Sequence, residues 1–124
     1  WHRFGAPDAI FSVQERAHGI HAGDIETSLM LNYRPDRVRG EAAADFASKS
    51  AAMEREFTWL RVGRPTGFGW MSQDLSASGA MGNAAAATVR KGEACADHAA
   101  TAFIELLRDI DGFDLTRLKA GPLS

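Results

Sequence analysis

Apolar residues recur at helical spacing in three stretches of this chain, and one stretch only suggests a strand. Ile25, Leu29 and Tyr33 fall four apart and predict one face of a helix that opens near Ala22. Pro35 disfavours helical backbone at Arg34, so this helix should stop there or one residue earlier, with a short turn over 35–38. Met53, Phe57 and Leu60 predict a second helix within 50–60. The longest stripe runs through Cys95, Ala99, Phe103, Leu106, Leu107 and Ile110. With Asn83 as its N-cap, it predicts a helix from about Ala84 to Asp109. Gly92 interrupts that helix at a cost of about 1 kcal/mol relative to Ala. A stripe of this length has to be buried against something.

Residues 1–19 read as a loop with short ordered pieces around Ala9 to Val13. The stretch from Gly63 to Gly82 is rich in glycine and mostly loop, with Phe68 to Met71 its candidate strand. No internal repeat and no low-complexity segment is present. The 124 residues match one domain in length, and 45% apolar with 24% charged residues is the balance of an ordinary globular protein. A formal charge of −2 gives no electrostatic footprint for nucleic acid. No run of 18 apolar residues suggests a membrane span, and Trp1-His2-Arg3 does not open a signal peptide. The single Cys95 has no internal disulfide partner, which points to a reducing, cytoplasmic setting. The chain starts at Trp1 without Met, which suits either a small trimmed domain or part of a longer polypeptide.

Candidate chemistry gathers early. His18, His21, Asp24 and Glu26 lie within nine residues, and imidazole nitrogen with carboxylate oxygen is a donor set for zinc or manganese. A helix starting near Ala22 puts His21 at its N-terminal mouth, where the dipole disfavours an imidazolium and suits a base or ligand. Glu26 shares a side of that helix with Met30 and Tyr33, and a carboxylate buried beside apolar groups needs a compensating partner, which a cation would supply. Ordinary readings stand beside these. His18 can be a plain loop histidine, Asp24 a helix-dipole carboxylate, and Glu26 a partner for Arg34, Arg37 or Arg39. A signature that fixes several ligands at once, such as His-Glu-x-x-His, is missing. Ser28 lacks the Gly-x-Ser-x-Gly elbow of many serine hydrolases. Cys95 sits in an apolar stripe as a core residue would, and Trp59 and Trp70 can line a pocket or simply pack.

The stretch His21-Ala22-Gly23-Asp24-Ile25-Glu26-Thr27-Ser28 resembles the creatininase family, whose members open a helix with a His-[Ala/Gly]-Gly-x-x-Glu-Thr-Ser motif. The likeness continues through Leu29-Met30-Leu31 and Arg34-Pro35-Asp36-Arg37-Val38. A supporting block runs from Ser76-Ala77-Ser78-Gly79 through Ala87-Thr88 to Lys91-Gly92. The resemblance implies an α/β fold, a three-layer α/β/α sandwich around a mainly parallel sheet, of which this helix-rich chain is the C-terminal part. It implies a homo-oligomer, usually a hexamer, and hydrolysis of a small cyclic or linear amide by a divalent metal: zinc first, manganese or iron next. By position, Glu26 resembles a metal-shell carboxylate and His21 the histidine that passes a proton to the leaving nitrogen. Trp1 resembles a substrate-covering aromatic, and His18 is the candidate substrate contact beside it.

The family's Glu-x-His motif, the Asp that follows it and its Asn-Gly-His stretch do not occur in these residues. A complete metal site would therefore draw on an N-terminal half of the same protein. Creatinine hydrolases carry Trp-Asp and a Glu just before the motif histidine. Here those positions read Ala17, His18 and Ile20, which leaves the amide substrate open. The reading that follows is a metal-dependent amidohydrolase subunit. The alternative is a non-catalytic assembly or binding fragment that keeps only the family's C-terminal packing.

Overall fold

A computed structural model describes residues 4–119 and 121. Trp1 lies outside the described residues. The chain is helix-rich with a small β component. Among the described residues five α-helices, α1 (Val13–His18), α2 (Asp24–Tyr33), α3 (Lys49–Glu56), α4 (Ser72–Leu75) and α5 (Val89–Asp111), are joined by loops and short 3-10 turns. Two two-residue strands, β1 (Asp45–Phe46) and β2 (Gly82–Asn83), pair antiparallel, Asp45 opposite Asn83 and Phe46 opposite Gly82. No parallel sheet forms among the described residues.

Helix α2 ends where Pro35 requires, at Tyr33, and Pro35 opens the 3-10 turn Pro35–Arg37. Helix α3 starts at Ser48, whose hydroxyl accepts from the Ser50 amide at 3.1 Å. It stops at Glu56, earlier than the apolar spacing suggests. Arg61 folds back there and donates to the carbonyls of Phe57, Thr58 and Leu60, holding the chain in a turn. Phe68 to Met71 is not a strand, because no neighbouring chain pairs with its backbone; α4 follows directly.

The long helix also begins later than its stripe indicates. Asn83 does act as a cap, accepting from the Ala86 amide at 3.2 Å, but it caps only the 3-10 turn Ala84–Ala86. Ala87 is extended, and Thr88 then caps α5 through its hydroxyl to the Lys91 amide. A side-chain acceptor in extended backbone restarts the helix here, despite the helix-forming alanines before it.

Helix α2 packs mainly against the first half of α5. Gly92 makes the contact possible. A Cβ there would stand 2.0 Å from the Ser28 carbonyl oxygen, so only a hydrogen fits between the two backbones. Phe11, Ile25 and Cys95 form the buried cluster beside this crossing, with Ala6, Ile10 and Leu29 packed on it. Polar ties reinforce it. Asp24, buried, pairs with Lys91 Nζ at 2.5 Å and accepts the Ser28 hydroxyl. Ser28 Oγ in turn accepts the Thr88 amide. Lys91 also donates to the Ala86 carbonyl and sits 5.7 Å from the centre of the Phe11 ring.

The second half of α5 has no such partner among the described residues. Phe103, Ile104, Leu107 and Ile110 are each about half exposed, and the apolar surface continues through Phe113, Leu115 and Leu118. Of the stripe itself only Cys95 is buried among the described residues, with Gly92 buried one turn before it. No helix among the described residues is long and apolar enough to cross a membrane.

Candidate functional site

The loop between α1 and α2 carries the motif, and a buried carboxylate absent from the sequence reading fixes its shape. Ser12 caps α1 by accepting from the Glu15 amide at 3.0 Å. The Glu15 side chain does not close a reciprocal box. Its Oε1 accepts the Ile25 amide at 3.3 Å, in the first turn of α2, and its Oε2 accepts the Asn83 amide at 2.9 Å. Helix α2 begins at Gly23, which has no side chain to cap it, so Glu15 supplies the missing acceptor and a negative charge at the positive end of the dipole. Gly19, Gly23 and Gly82 press on this carboxylate. A Cβ on any of them would come within 2.8 Å of a carboxylate oxygen.

His21 is held by its backbone, which bridges Met81: the Met81 amide donates to the His21 carbonyl at 2.7 Å. Ala22 next to it adopts φ 54°, a left-handed turn that sends the chain into α2. The His21 side chain is exposed, its ring centre 6.4 Å from that of Trp70. Trp70 is itself pinned, donating from Nε1 to the Val62 carbonyl at 2.8 Å.

Glu26 is half-buried, and its Oε2 accepts the Ala22 amide at 2.8 Å. It therefore caps its own helix entry, four residues back. Met30 and Tyr33, which share its side of α2, are exposed, and the buried face carries Asp24, Ile25 and Ser28. Glu26 is thus not set into an apolar interior, and a backbone N–H is its hydrogen-bond partner. It is not in an ion pair with Arg34, Arg37 or Arg39; Arg34 binds Asp36 with two hydrogen bonds. That guanidinium holds the exposed Asp36 carboxyl below the usual carboxylate range. Asp24 is more than a dipole partner, being locked to Lys91.

Two clefts flank the motif. The first, about 570 Å³, is lined by His18, Ser50, Glu54, Arg64 and Trp70 among others. The second, about 500 Å³, is lined by Glu26, Met30, Arg37, Arg39 and Phe46 among others. His18 and Glu26 therefore face different hollows. His21 lines neither, although Trp70 borders the first and Ala22 the second. The predicted site residues are neighbours along the chain, and the structure does not gather them in one concavity.

His18 is no loose loop histidine. Its Nδ1 lies 2.6 Å from Ser50 Oγ and its Nε2 lies 3.2 Å from Glu54, with 14% of the side chain exposed. Sequence reasoning missed Ser50, Glu54 and Glu15. Only Glu15 left a local trace, the Ser12-x-x-Glu15 pattern of a helix N-terminus.

No group of three or more His, Cys, Asp or Glu among the described residues is arranged to hold a metal ion. The divalent metal that the resemblance implies therefore does not fit these residues alone, since one carboxylate oxygen of Glu26 is a single donor where a catalytic zinc takes about three protein ligands.

Comparison with known proteins gives the frame for this arrangement. The crystal structure of a Bacteroides fragilis protein proposed to be a creatinine amidohydrolase superposes with a TM-score of 0.67 at 24% identity. The match covers 93% of this chain and 42% of that one, so the chain spans less than half the length of its structural neighbour. At this identity the likeness speaks for the fold. No curated protein sequence matches the chain. The family described as creatininase, creatinine amidohydrolase, matches residues 1–107, and the chain belongs to the creatininase family.

Proposed function

We propose that this chain is the C-terminal portion of an amidohydrolase that cleaves a carbon–nitrogen bond in a small cyclic or linear amide. The observation that carries the reading is the position of His21, an exposed imidazole at the mouth of α2, beside the fixed face of Trp70. A flat amide resting on that ring would bring its nitrogen to a group able to deliver a proton. Amide cleavage needs such a donor, because an unprotonated amine anion is a very poor leaving group. His18 shares with Trp70 the lining of the cleft that would receive the rest of the substrate.

Glu26 keeps one carboxylate oxygen outside its bond to Ala22. In the complete protein that oxygen would be one donor to a divalent metal, zinc before manganese or iron, with the other donors coming from an N-terminal half. When bound, such a metal supplies electrophilic activation of the carbonyl and of water. The exposed apolar side of α5 supports a chain that continues into a larger body, since a surface of this kind on a lone domain invites association. A three-layer sandwich with a mainly parallel sheet, a cytoplasmic homo-oligomer and a substrate cover by Trp1 belong to the same proposal.

The test is made on the complete enzyme with a panel of small amides. His21→Ala should lower turnover about 100-fold or more, the usual contribution of a general acid, while leaving metal content unchanged. Glu26→Gln should lower both metal content and turnover. Unchanged metal and unchanged turnover in Glu26→Gln would refute the reading.

A further inference from the structure

The first cleft, to which the amide reading gives only the role of a substrate hollow with His18 on its wall, contains an arrangement of side chains for which that reading has no chemistry. Ser50 Oγ, His18 and Glu54 stand in line: the hydroxyl is hydrogen-bonded to Nδ1 at 2.6 Å, and a Glu54 carboxylate oxygen lies 3.2 Å from Nε2 as an ion-pair contact. All three line the same cleft. A hydroxyl bonded to one ring nitrogen, with a carboxylate orienting the other, is the arrangement that activates a serine. We propose that Ser50 is an acyl-accepting nucleophile, with His18 as its base and Glu54 as the group that orients the ring.

The local structure frees Ser50 for this. A serine in the first turn of a helix ordinarily turns its hydroxyl onto nearby backbone amides. Here Ser48 already accepts the Ser50 amide, and the Ser50 hydroxyl goes to His18 instead. The Glu54 carboxylate beside Nε2 favours the proton on that nitrogen, and the neutral ring then presents Nδ1 as the acceptor for the serine proton. Ser50 is the second residue of α3. The N–H of Ala51 therefore belongs to a turn whose amides have no partner within the helix, a source of donors for a developing oxyanion. Which ring nitrogen meets which partner is reversed from many serine hydrolases. The chemistry requires only that one nitrogen face the hydroxyl and the other the acid.

The reaction balances without a metal. Ser50 Oγ forms a bond to an acyl carbon as its proton passes to His18 Nδ1. The bond from that carbon to the leaving oxygen breaks, and the alcohol departs with the proton from Nδ1. Water, deprotonated by the same nitrogen, then attacks the Ser50 ester and releases the acid, restoring the hydroxyl. Ile20, Val62, Pro65 and Trp70 give the cleft apolar walls, so the substrate class is an ester of a short, apolar acyl group.

The experiment uses the full chain, with and without EDTA, treated with a fluorophosphonate and analysed by peptide mass spectrometry. One adduct per chain is expected, on Ser50, together with a burst of about one equivalent of nitrophenol from 4-nitrophenyl acetate. Neither should depend on EDTA. His18→Gln, which can still hydrogen-bond to Ser50, should label about 100-fold more slowly or less, with its melting curve retained. Ser50→Cys should keep the fold and exchange fluorophosphonate labelling for rapid alkylation at position 50. The proposal is overturned by an unlabelled Ser50, by equal labelling of His18→Gln, or by labelling abolished by EDTA with the melting curve unchanged. Such a failure leaves the amidohydrolase reading standing, because that reading rests on His21 and Glu26 and is scored by metal content and amide turnover.

Discussion

Replacing Gly92 by Ala sets two effects of opposite sign against each other, and the structure decides between them. In an isolated helix the change is favourable by about 1 kcal/mol, because Ala is the better helix former. At this crossing the new Cβ would lie 2.0 Å from the Ser28 carbonyl oxygen, 2.5 Å from its carbon and 3.0 Å from Asn32 Cβ. The first two atoms are backbone and cannot rotate aside. Restoring ordinary contact requires α2 and α5 to part locally by roughly 1.4 Å, and overpacking of this kind costs about 1–3 kcal/mol or more. The same movement stretches Ser28 Oγ from the Thr88 amide, 3.1 Å away, and Asp24 from Lys91. Each strained bond adds roughly 1 kcal/mol. Gly92→Ala should therefore destabilise by about 2–4 kcal/mol net, lowering Tm by on the order of 10 °C for a chain of this size. Urea titration and thermal unfolding followed by circular dichroism give the answer. A variant as stable as the parent, or more stable, would show that the helices do not touch at Gly92.

The remaining predictions concern the groups that tie this crossing together. Lys91→Met strands the buried Asp24 carboxylate and should cost about 2–4 kcal/mol; adding Asp24→Asn should recover a good part of that loss, and strictly additive losses in urea would dismiss the pair. Glu15→Ala removes acceptors from the Ile25 and Asn83 amides at once and should cost about 3 kcal/mol, with Glu15→Gln intermediate. Hydrogen exchange should then speed up at Ile25 and Asn83 before the rest of the chain, and uniform exchange would count against this role. Burial pushes the Cys95 thiol above its ordinary pKa, so the thiolate is scarce in the folded chain and alkylation at pH 8 should await unfolding. Because the neutral thiol is favoured by folding, this contribution is present at low pH and is lost as pH rises above the unfolded thiol's pKa. Rapid alkylation of the native chain would refute the burial.

Local chemistry wrote the parts of this fold that the sequence made readable. Pro35 acts on its immediate predecessor, so the end of α2 at Tyr33 could be anticipated, and the stripe through α5 follows from helical geometry alone. The motif from His21 to Ser28 was legible as a family resemblance, and the family match agrees with it. Other features depend on partners distant in sequence. The role of Glu15 needs Asn83, 68 residues away, and His18 finds its hydroxyl 32 residues on, in a helix whose apolar spacing gave no hint of it. Gly92 looked like a simple weakness in a helix because the backbone that presses on it belongs to α2. Phe68 to Met71 had strand-like residues, but a strand exists only through a neighbour, and none of the described residues pairs with it.

The distribution of ties also says which part of this chain can carry a function that depends on geometry. The entry to α2 is fixed from one side by Glu15, from another by Lys91 and Ser28 against α5, and along its backbone by the bridge from His21 to Met81. The backbone that carries His21 is thereby fixed, while its imidazole is exposed beside Trp70. The far half of α5 is the opposite case: regular helix, apolar on one side, and among the described residues met chiefly by Phe4, whose ring lies edge-on 6.4 Å from that of Phe103. Precision near the motif and unsatisfied surface at the other end fit one division of labour. Under the proposed function, the first half of the chain would present chemistry and the last third would offer the surface that joins it to the rest of a larger protein.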